Sequence, residues 1–493
     1  MIKTNLAYQG VVTLSMLAFP VTSCTQTVKT KPNIIYILAD DLGYGDLGCY
    51  GQKYIKTPNI DRLATEGLLF TQHYAGAPVS APTRCCLMTG KHLGHAYIRN
   101  NREIRDNSDF KAGQTPLPEN TFTIARMLQN AGYTTGLIGK WGLGSIESTG
   151  APNKQGFDFF YGYSDQAHAH NHYPLFLWKN EKQEFLQGNV SSAHPKIDKN
   201  EIVSEREYKK YQGEHYSLDL MTSEALNFVE NNKNNPFFLY LALTTPHRAL
   251  QVPEESVDSY KNIFNEIPYD GKKGYTPHPK PKAAYAGMIT RMDQKIGELM
   301  DKLKALGLDH NTIVMFSSDN GHTGTGGVDV NFFNSSGGLR GAKGTLYEGG
   351  IKVPFIVRWT GKILPNKTTN HISAQYDLMS TLAELTRQKI GDTDGVSFLP
   401  TLLDKTDKQK KHDYLYWEFS NAGGQYAIRM GNLKGVRMNV KNNNESHWEV
   451  YNVTTDPSES KNIAENHPQL IKIFNQITKQ RISSEFSEWN FEN

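Results

Sequence analysis

Short apolar runs recur along the chain and predict the strands of a buried sheet. Five of them are bounded by turn residues and rich in β-branched or aromatic residues, as is typical of strands covered on both faces. These predicted strands span residues 33–38, 134–138, 236–243, 312–316 and 353–359. Apolar residues at helical spacing predict helices over residues 57–67, 121–131, 218–231 and 281–306. This alternation predicts an α/β fold, in which helices cover both faces of a large, mostly parallel sheet.

The hydrophobic pattern changes near both ends of the chain, and these changes predict the domain boundaries. Lys3 and an apolar stretch over residues 11–21, too short to cross a membrane, predict a signal peptide over residues 1–24. A polar tether over residues 25–31 precedes a main domain over residues 32–405. Short strands and a closing helix over residues 468–481 then predict a smaller α+β subdomain of antiparallel strands over residues 406–493.

The end of the predicted signal peptide indicates where the protein resides. Small residues just before Cys24 resemble a bacterial lipoprotein cleavage site, so that Cys24 would become the lipidated first residue. Ordinary secretory cleavage with an incidental cysteine is the alternative. Either reading predicts an exported protein, and the first predicts a periplasmic or outer-membrane lipoprotein of a Gram-negative bacterium, held to the membrane only by a lipid anchor at Cys24.

Composition excludes several classes of protein. The chain carries 53 basic and 50 acidic residues, a net charge of +3, which is too balanced for a nucleic-acid partner. Its four cysteines are too few for a disulfide scaffold in 493 residues. Composition therefore describes an ordinary globular protein, and the candidate chemistry must come from individual side chains.

Polar side chains follow four of the predicted strands, each at the point where the strand ends. They are Asp40 with Asp41, Lys140, His247, and Asp319 with Asn320. Because the carboxyl ends of parallel strands lie at one edge of a sheet, these residues should meet in one crevice. Three carboxylates and an amide oxygen favour Ca²⁺ or Mg²⁺ over zinc. Taken singly, each pair could also be an ordinary turn.

A short predicted helix begins at Ser80 and supplies a further polar group. Pro82 follows two residues later, and the apolar stretch ends at Gly90. Ser80 and Arg84 are four residues apart and share a helix face. A helix start favours anions, although a plain N-cap serine with a solvent-facing arginine would give the same pattern.

The segment Ser80-Ala81-Pro82-Thr83-Arg84, followed by Leu87-Met88-Thr89-Gly90, resembles the signature of type I sulfatases of the alkaline-phosphatase-like superfamily. Further segments resemble the family in the same order, over about residues 31–470: Asp40 to Gly43, Thr57 to Asp61, Gly139-Lys140-Trp141, Thr245-Pro246-His247, Ser318 to Gly321, Leu339 to Lys343, Arg429-Met430-Gly431 and Tyr451 to Ser458. The resemblance implies a catalytic sulfatase domain over residues 32–405, which hydrolyses sulfate esters.

The resemblance also implies a role for each matching residue. Ser80 would be converted to formylglycine (3-oxoalanine), whose hydrate supplies the nucleophile, and one Ca²⁺ would be held by Asp40, Asp41, Asp319, Asn320 and the modified Ser80. Arg84 would stabilise the formylglycine hydrate. Lys140 and Lys343 would bind the sulfate oxygens, and either His247 or Lys343 would protonate the leaving oxygen.

Two positions depart from the family pattern. Many members carry His directly after Gly-Lys-Trp, where it can accept the proton that accompanies sulfate release, whereas this chain has Gly142. His322 or His170 could replace that base. The modified position is Ser80 rather than Cys, which implies a serine-type sulfatase-maturing enzyme as a partner.

A long segment without a clear period, residues 151–215, predicts a binding surface. Residues 165–174 are dense in aromatic and hydrogen-bonding groups, which suit a sugar ring and make His170 a candidate substrate contact. A structural role, or a metal site of the alternating His168, His170 and His172, is the alternative. Glu418 could reach the same pocket. The general form of this insertion, together with Gly142 and residues 331–335, resembles carbohydrate sulfatases of gut and marine bacteria, some of which act on 4-sulfated galactose or N-acetylgalactosamine.

Two other functions fit the same residues. One is a phosphodiesterase or phosphonate hydrolase of the same superfamily. The other is an inactive, lipid-anchored glycan-binding protein that keeps the fold alone.

Overall fold

The computed structural model describes residues 1–4, 7, 10, 31–104, 113–189, 192–195, 197, 205–442 and 446–490. The chain divides into a unit of residues Met1–Thr30 and a unit of residues Lys31–Asn493. Cys24 and the apolar stretch of the predicted signal peptide lie outside the described residues. None of the described helices combines the length and hydropathy that crossing a membrane requires.

The unit Lys31–Asn493 contains strands and helices in alternation. Its described strands are β1 (Asn33–Ala39), β2 (Leu68–Phe70), β3 (His73–Tyr74), β4 (Glu103–Ile104), β5 (Gly113–Gln114), β6 (Thr134–Lys140), β7 (Phe159–Tyr163), β8 (Phe176–Lys179), β9 (Lys182–Phe185), β10 (Phe237–Ala242), β11 (Thr312–Ser318), β12 (Phe355–Trp359), β13 (Lys367–Thr369), β14 (Ser373–Ala374), β15 (Leu415–Phe419), β16 (Gln425–Met430), β17 (Leu433–Arg437) and β18 (Trp448–Asn452). Its described helices are α1 (Pro58–Thr65), α2 (Ser80–Thr89), α3 (Ile124–Asn130), α4 (Glu205–Lys209), α5 (Ser217–Asn231), α6 (Glu254–Asp258), α7 (Pro281–Ala305), α8 (Val330–Phe333), α9 (Glu348–Ile351), α10 (Asp377–Thr386), α11 (Leu399–Leu402) and α12 (Pro468–Thr478).

Ten strands form the central sheet in the order β13-β2-β12-β11-β1-β10-β6-β7-β8-β9. The pairs from β11 to β7 are parallel, whereas β12 and β8 run antiparallel to their neighbours. The predicted α/β fold with a mostly parallel sheet is therefore confirmed. The strand predicted at residues 353–359 exists as β12, but it runs against β11, so its carboxyl end lies at the opposite edge.

The alternation of side chains along β1 explains why the sheet is covered on both faces. Ile35 and Ile37 pack into one core with residues of α1, α5 and α7. Ile34 and Tyr36 pack into the other core with residues of α2, α3 and α10. Because successive side chains of a strand point to opposite faces, a run that is apolar at every position requires helices on both sides.

The segment over residues 151–215 is more regular than its sequence pattern suggests. It supplies β7, β8 and β9, which extend the central sheet at one edge. Strands β8 and β9 form a hairpin with largely exposed or half-buried side chains. An edge hairpin of this kind buries too little apolar surface to leave a period in the sequence.

The C-terminal strands form a separate antiparallel sheet in the order β15-β16-β17-β18. Helix α12 packs on it through Phe474 and Ile477. Trp417 and Gln425 are among the residues that tie this sheet to the rest of the unit. The Trp417 indole donates to the Ala75 carbonyl at 2.9 Å. Gln425 accepts from the Leu346 amide at 3.1 Å and donates to the Gly344 carbonyl at 3.0 Å.

Candidate active site

The predicted crevice forms at the carboxyl ends of the adjacent strands β1 and β11. Asp40 and Asp41 follow β1, and Asp319 and Asn320 follow β11. Asp41 has φ of 63°, in the left-handed region, and its amide donates to Asp319 Oδ1 at 3.0 Å. All four side chains are buried. The turn after β1 therefore brings four oxygen-bearing side chains together, as the strand order predicts.

These oxygen atoms form a candidate cation site. Asn320 Nδ2 donates to Asp41 Oδ1 at 2.7 Å and to the Gly321 carbonyl at 2.9 Å. Asn320 Oδ1 is buried and finds no hydrogen-bond partner among the described residues. Ligand atoms of Asp40, Asp41 and His247 lie within 4.8 Å of one another. Carboxylates with an unpartnered amide oxygen fit a hard divalent cation.

Helix α2 carries Ser80 and Arg84 into the same crevice. Ser80 is the first residue of the helix, and its hydroxyl donates to Asp40 Oδ1 at 3.3 Å. Arg84 donates to Asp319 Oδ2 at 3.1 Å and to the Lys140 carbonyl at 2.8 Å. Both side chains are buried, so Arg84 is not a solvent-facing residue of an ordinary capped helix.

Two lysines complete what we call the strand-end cluster, which comprises the acidic and amide residues Asp40, Asp41, Asp319 and Asn320 and the basic residues Arg84, Lys140, His247, Arg248 and Lys343. Lys140 Nζ lies 2.6 Å from Asp40 Oδ2, and Lys343 Nζ lies 2.6 Å from Asp41 Oδ1. Burial raises the pKa of Asp40, but Lys140 and the other cations outweigh it and hold that pKa well below its usual value. Burial and the neighbouring Asp40 raise the pKa of Asp319 to about 6.

His247 follows β10 and lies against Asp41. Its Nε2 is 3.5 Å from Asp41 Oδ2, and its Nδ1 is 2.5 Å from the Arg248 carbonyl. Burial lowers the pKa of His247 to about 3, so the imidazole is neutral at pH 7 before substrate binds. An acid role therefore requires that the anionic substrate raise this pKa.

Arg248 belongs to the site although the sequence analysis did not select it. Its NH2 lies 2.9 Å from Asp41 Oδ2, and its NH1 donates to the Thr323 carbonyl at 2.9 Å. The side chain is buried. Arg248 thus fixes Asp41 and ties the glycine-rich loop after Asn320 to it. The available signal was a second basic residue directly after His247, in the segment that follows β10.

The candidate histidines of the insertion do not act as one group. His170 stacks on His247, with ring centroids 4.5 Å apart, and its Nδ1 is 2.8 Å from His194 Nε2. His172 is fully buried and its Nε2 bonds to the His247 carbonyl, whereas His168 packs on Tyr163. His168 and His170 lie in a 3₁₀ turn rather than a strand, so the premise of a shared strand face fails.

The second candidate base and Glu418 also have defined places. His322 is buried, its carbonyl accepts from the Lys343 amide at 2.8 Å, and burial lowers its pKa to about 4. Glu418 does not reach a sugar pocket with a free oxygen, because Arg99, Arg481 and Tyr416 bind both of its oxygens at 2.7 to 3.0 Å.

Comparison with known proteins shows which family has this sequence and this fold. The profile of the sulfatase family matches residues 32–388, and a profile of the C-terminal part of N-sulphoglucosamine sulphohydrolase matches residues 342–485. An N-acetylgalactosamine-6-O-sulfatase of Bacteroides thetaiotaomicron is 31% identical over 92% of this chain and 95% of its own length. The crystal structure of Ps i-CgsB in complex with k-i-k-neocarrahexaose superposes with a TM-score of 0.73 at 27% identity, covering 94% of this chain and 96% of that one. The phosphonate monoester hydrolase of Agrobacterium radiobacter shares the fold, with a TM-score of 0.60 at 19% identity, covering 92% of this chain and 96% of that one.

Proposed function

The chain belongs to the sulfatase family and is a sulfuric ester hydrolase, and from that premise we propose that it removes an O-sulfate from a carbohydrate with a formylglycine made from Ser80 and a bound calcium ion. The observation that carries the proposal is the buried Ser80 hydroxyl, 3.3 Å from Asp40 Oδ1 inside a cluster rich in cations. A serine that only capped a helix would not need this surrounding charge.

The cation site falls to Asp40, Asp41, Asp319, Asn320 and the modified Ser80. The unpartnered Asn320 Oδ1 supports this assignment, because a buried acceptor without a partner costs stability unless a ligand meets it. Bound there, Ca²⁺ would lower the pKa of a hydroxyl at position 80 and offset the charge of the sulfate.

The basic side chains divide the remaining work. Arg84 stabilises the hydrated aldehyde, and Lys140 and Lys343 bind sulfate oxygens. In the first step a hydroxyl at position 80 would release its proton to solvent and attack sulfur, the bond between sulfur and the sugar oxygen would break, and His247 or Lys343 would give that oxygen a proton. In the second step the other hydroxyl would lose its proton to His322 or His170, and the aldehyde carbonyl would form as the bond between its carbon and the sulfated oxygen breaks and sulfate leaves. Addition of one water molecule would then restore the hydrate.

A sugar of galactose configuration is the proposed substrate. The similarity to an N-acetylgalactosamine-6-O-sulfatase supports this choice. His170, stacked on His247, is the proposed sugar contact next to the leaving-group acid. The test panel is therefore galactose and N-acetylgalactosamine, each sulfated at position 4 or 6.

The same proposal covers maturation and location. A serine-type maturing enzyme would oxidise the Ser80 side chain from alcohol to aldehyde, with loss of two hydrogens. Export followed by lipidation of Cys24 would place the enzyme on the periplasmic or outer-membrane surface of a Gram-negative cell. Labelling with a radioactive fatty acid, lost in a Cys24→Ala variant, tests the anchor.

A mass spectrum of the Ser80 peptide from the native host tests the chemistry. We expect a peptide lighter by two hydrogens, and turnover of at least one sulfated sugar of the panel. An unmodified serine throughout, with no turnover, would favour the glycan-binding protein. Faster turnover of a phenyl phosphate or phosphonate ester than of phenyl sulfate would favour the phosphodiesterase or phosphonate hydrolase.

A further inference from the structure

Gly142 leaves a space beside the active site that another side chain fills. The residue has φ of +74°, and a Cβ atom built on it would lie 2.0 Å from Nε2 of Gln166. The Gln166 amide therefore occupies the position from which a side chain at residue 142 would begin. The departure from the family pattern at Gly142 is thus paired with a specific residue, Gln166.

The Gln166 side chain places a polar donor, Nε2, inside the protein. The residue is 3% exposed, and Nε2 is buried without a hydrogen-bond acceptor among the described residues. A buried donor of this kind destabilises a fold unless a bound molecule meets it. If this position served packing alone, an apolar residue of the same length would stabilise the fold more than glutamine does.

The backbone around Gln166 runs along the active site. The Trp141 and Gly142 amides donate to the Tyr163 and Ser164 carbonyls at 2.9 and 3.2 Å, which holds this segment against the end of β6, where Lys140 contacts Asp40. The segment then continues to His170, which stacks on His247. The Gln166 side chain therefore packs on Gly142, two residues after Lys140 of the strand-end cluster and four residues before His170.

We propose that Gln166 is a substrate-binding residue whose Nε2 donates a hydrogen bond to a hydroxyl of the sugar that carries the sulfate. The inference rests on the proposed function and names a residue that selects the sugar. A hydroxyl fits better than a sulfate oxygen, because the neighbouring Asp165 is buried and has an unpartnered carboxylate oxygen, Oδ2, that would repel an anion. The sulfate itself is met by the lysines.

The test compares Gln166→Met with wild type in the full-length enzyme, after mass spectrometry has shown the same modification of Ser80 in both. We expect kcat/KM for the best sulfated sugar of the panel to fall by about tenfold or more, since a lost hydrogen bond to a buried polar group is of that size. Turnover of 4-nitrophenyl sulfate, which has no sugar hydroxyl, should change less than twofold. Gln183→Met, on the edge strand β9, is the matched control and should leave both substrates unaffected.

Stability and deoxy sugars separate binding from structure. Because Gln166 Nε2 has no hydrogen-bond partner among the residues that the structure describes, Gln166→Met should leave the Tm unchanged or raise it. Among sulfated sugars that each lack one hydroxyl, one should be hydrolysed equally by wild type and variant, which identifies the hydroxyl that Gln166 binds.

Four results would overturn the inference. A fall in Tm with equal losses on both substrates would make Gln166 structural, and equal losses at an unchanged Tm would place its contact on the sulfate. A deoxy series in which every sugar keeps the full defect would exclude a hydroxyl contact. Failure of wild type to hydrolyse any sulfated sugar would overturn the proposed function as well, which none of the other results does.

Discussion

Two clusters pair carboxylates with basic side chains in different ways: the strand-end cluster and a junction cluster of Arg99, Tyr416, Glu418 and Arg481. In the junction cluster one carboxylate accepts four hydrogen bonds at 2.7 to 3.0 Å, from two arginines and a tyrosine. In the strand-end cluster three carboxylates lie side by side, and Asn320 Oδ1 has no partner among the described residues.

The difference shows how to distinguish a structural cluster from a functional one. The junction cluster is complete within the protein and joins β15 to the loop after α2 and to the residues after α12. The strand-end cluster leaves an acceptor unused and holds one carboxylate, Asp319, at a raised pKa of about 6. Unused acceptors and crowded like charges are typical of a site completed by a ligand.

Removing Asp319 should give the largest loss of turnover. Unchanged turnover would contradict the conclusion that the strand-end cluster is functional and the junction cluster structural. Asp319→Asn and Asp319→Ala should lower turnover by on the order of 10³-fold, as the loss of several kcal/mol of charge stabilisation implies. Chelation should do the same to wild type, and added Ca²⁺ should raise the Tm of wild type but not of the variants. Asp392→Ala, in an exposed ion pair, is the control. Full activity after exhaustive chelation would contradict the calcium assignment.

Glu418 should show the opposite behaviour, a loss of stability without a loss of chemistry. Glu418→Gln leaves two buried arginine contacts uncompensated and should lower the free energy of unfolding by about 3 kcal/mol. Denaturant unfolding measures this loss, and kcat/KM of the folded enzyme should stay within about twofold of wild type. A selective loss of activity on sulfated sugars at unchanged stability would return Glu418 to the substrate pocket.

Variants of His247 and Lys343 should show which residue of the strand-end cluster protonates the leaving oxygen and which only binds sulfate. If His247 is the leaving-group acid, His247→Ala should slow a sulfated sugar by on the order of 10²-fold and 4-nitrophenyl sulfate much less, because a good leaving group needs little protonation. Lys343→Ala should slow both substrates alike if Lys343 only binds sulfate. The reverse pattern would exchange the two roles.

The smallest expected effect is a pH-dependent change in the free energy of unfolding, and it comes from a third cluster of His92, His95 and Asp394. The hydrogen bond from His95 Nδ1 to Asp394 Oδ1, at 2.9 Å, raises the pKa of His95 above its ordinary value. The pair therefore contributes stability that is fully present below the unfolded pKa of about 6.5 and is lost as pH rises through the folded pKa. His95→Gln should lower the unfolding free energy by about 1 kcal/mol at pH 5.5 and by less at pH 9. An equal loss at both pH values would show that the charge of His95 does not matter.

The sequence predicted the part of the site that follows from strand ends. Asp40, Lys140, His247 and Asp319 come together because β1, β6, β10 and β11 are parallel neighbours, and their apolar runs are easy to read. Lys343 is different, since it lies on the loop between α8 and α9 and no periodicity predicts its position. Only the family resemblance indicated that residue.

The remaining differences have physical causes. Arg248 was missed because a basic residue beside a histidine looks solvent-exposed until the fold buries it. Glu418 and Trp417 point to opposite faces of β15. This alternation alone could not show that the face with Glu418 packs on Arg99 and Arg481 rather than lining a pocket. The edge strands β8 and β9 carry too few buried side chains to leave a pattern.

The two hydrogen bonds of Gln425 have a consequence for recombining this enzyme with its relatives. Gln425 is fully buried in β16, yet it holds the Gly344 carbonyl and the Leu346 amide, immediately beside Lys343. A chimera that takes its C-terminal sheet from another sulfatase would have that protein's residue in place of Gln425, next to the loop that carries Lys343. A crossover point outside residues 343–425 takes Lys343 and Gln425 from the same parent. A crossover point inside this range takes them from different parents, so the loop that carries Lys343 would lose the hydrogen bonds that match it.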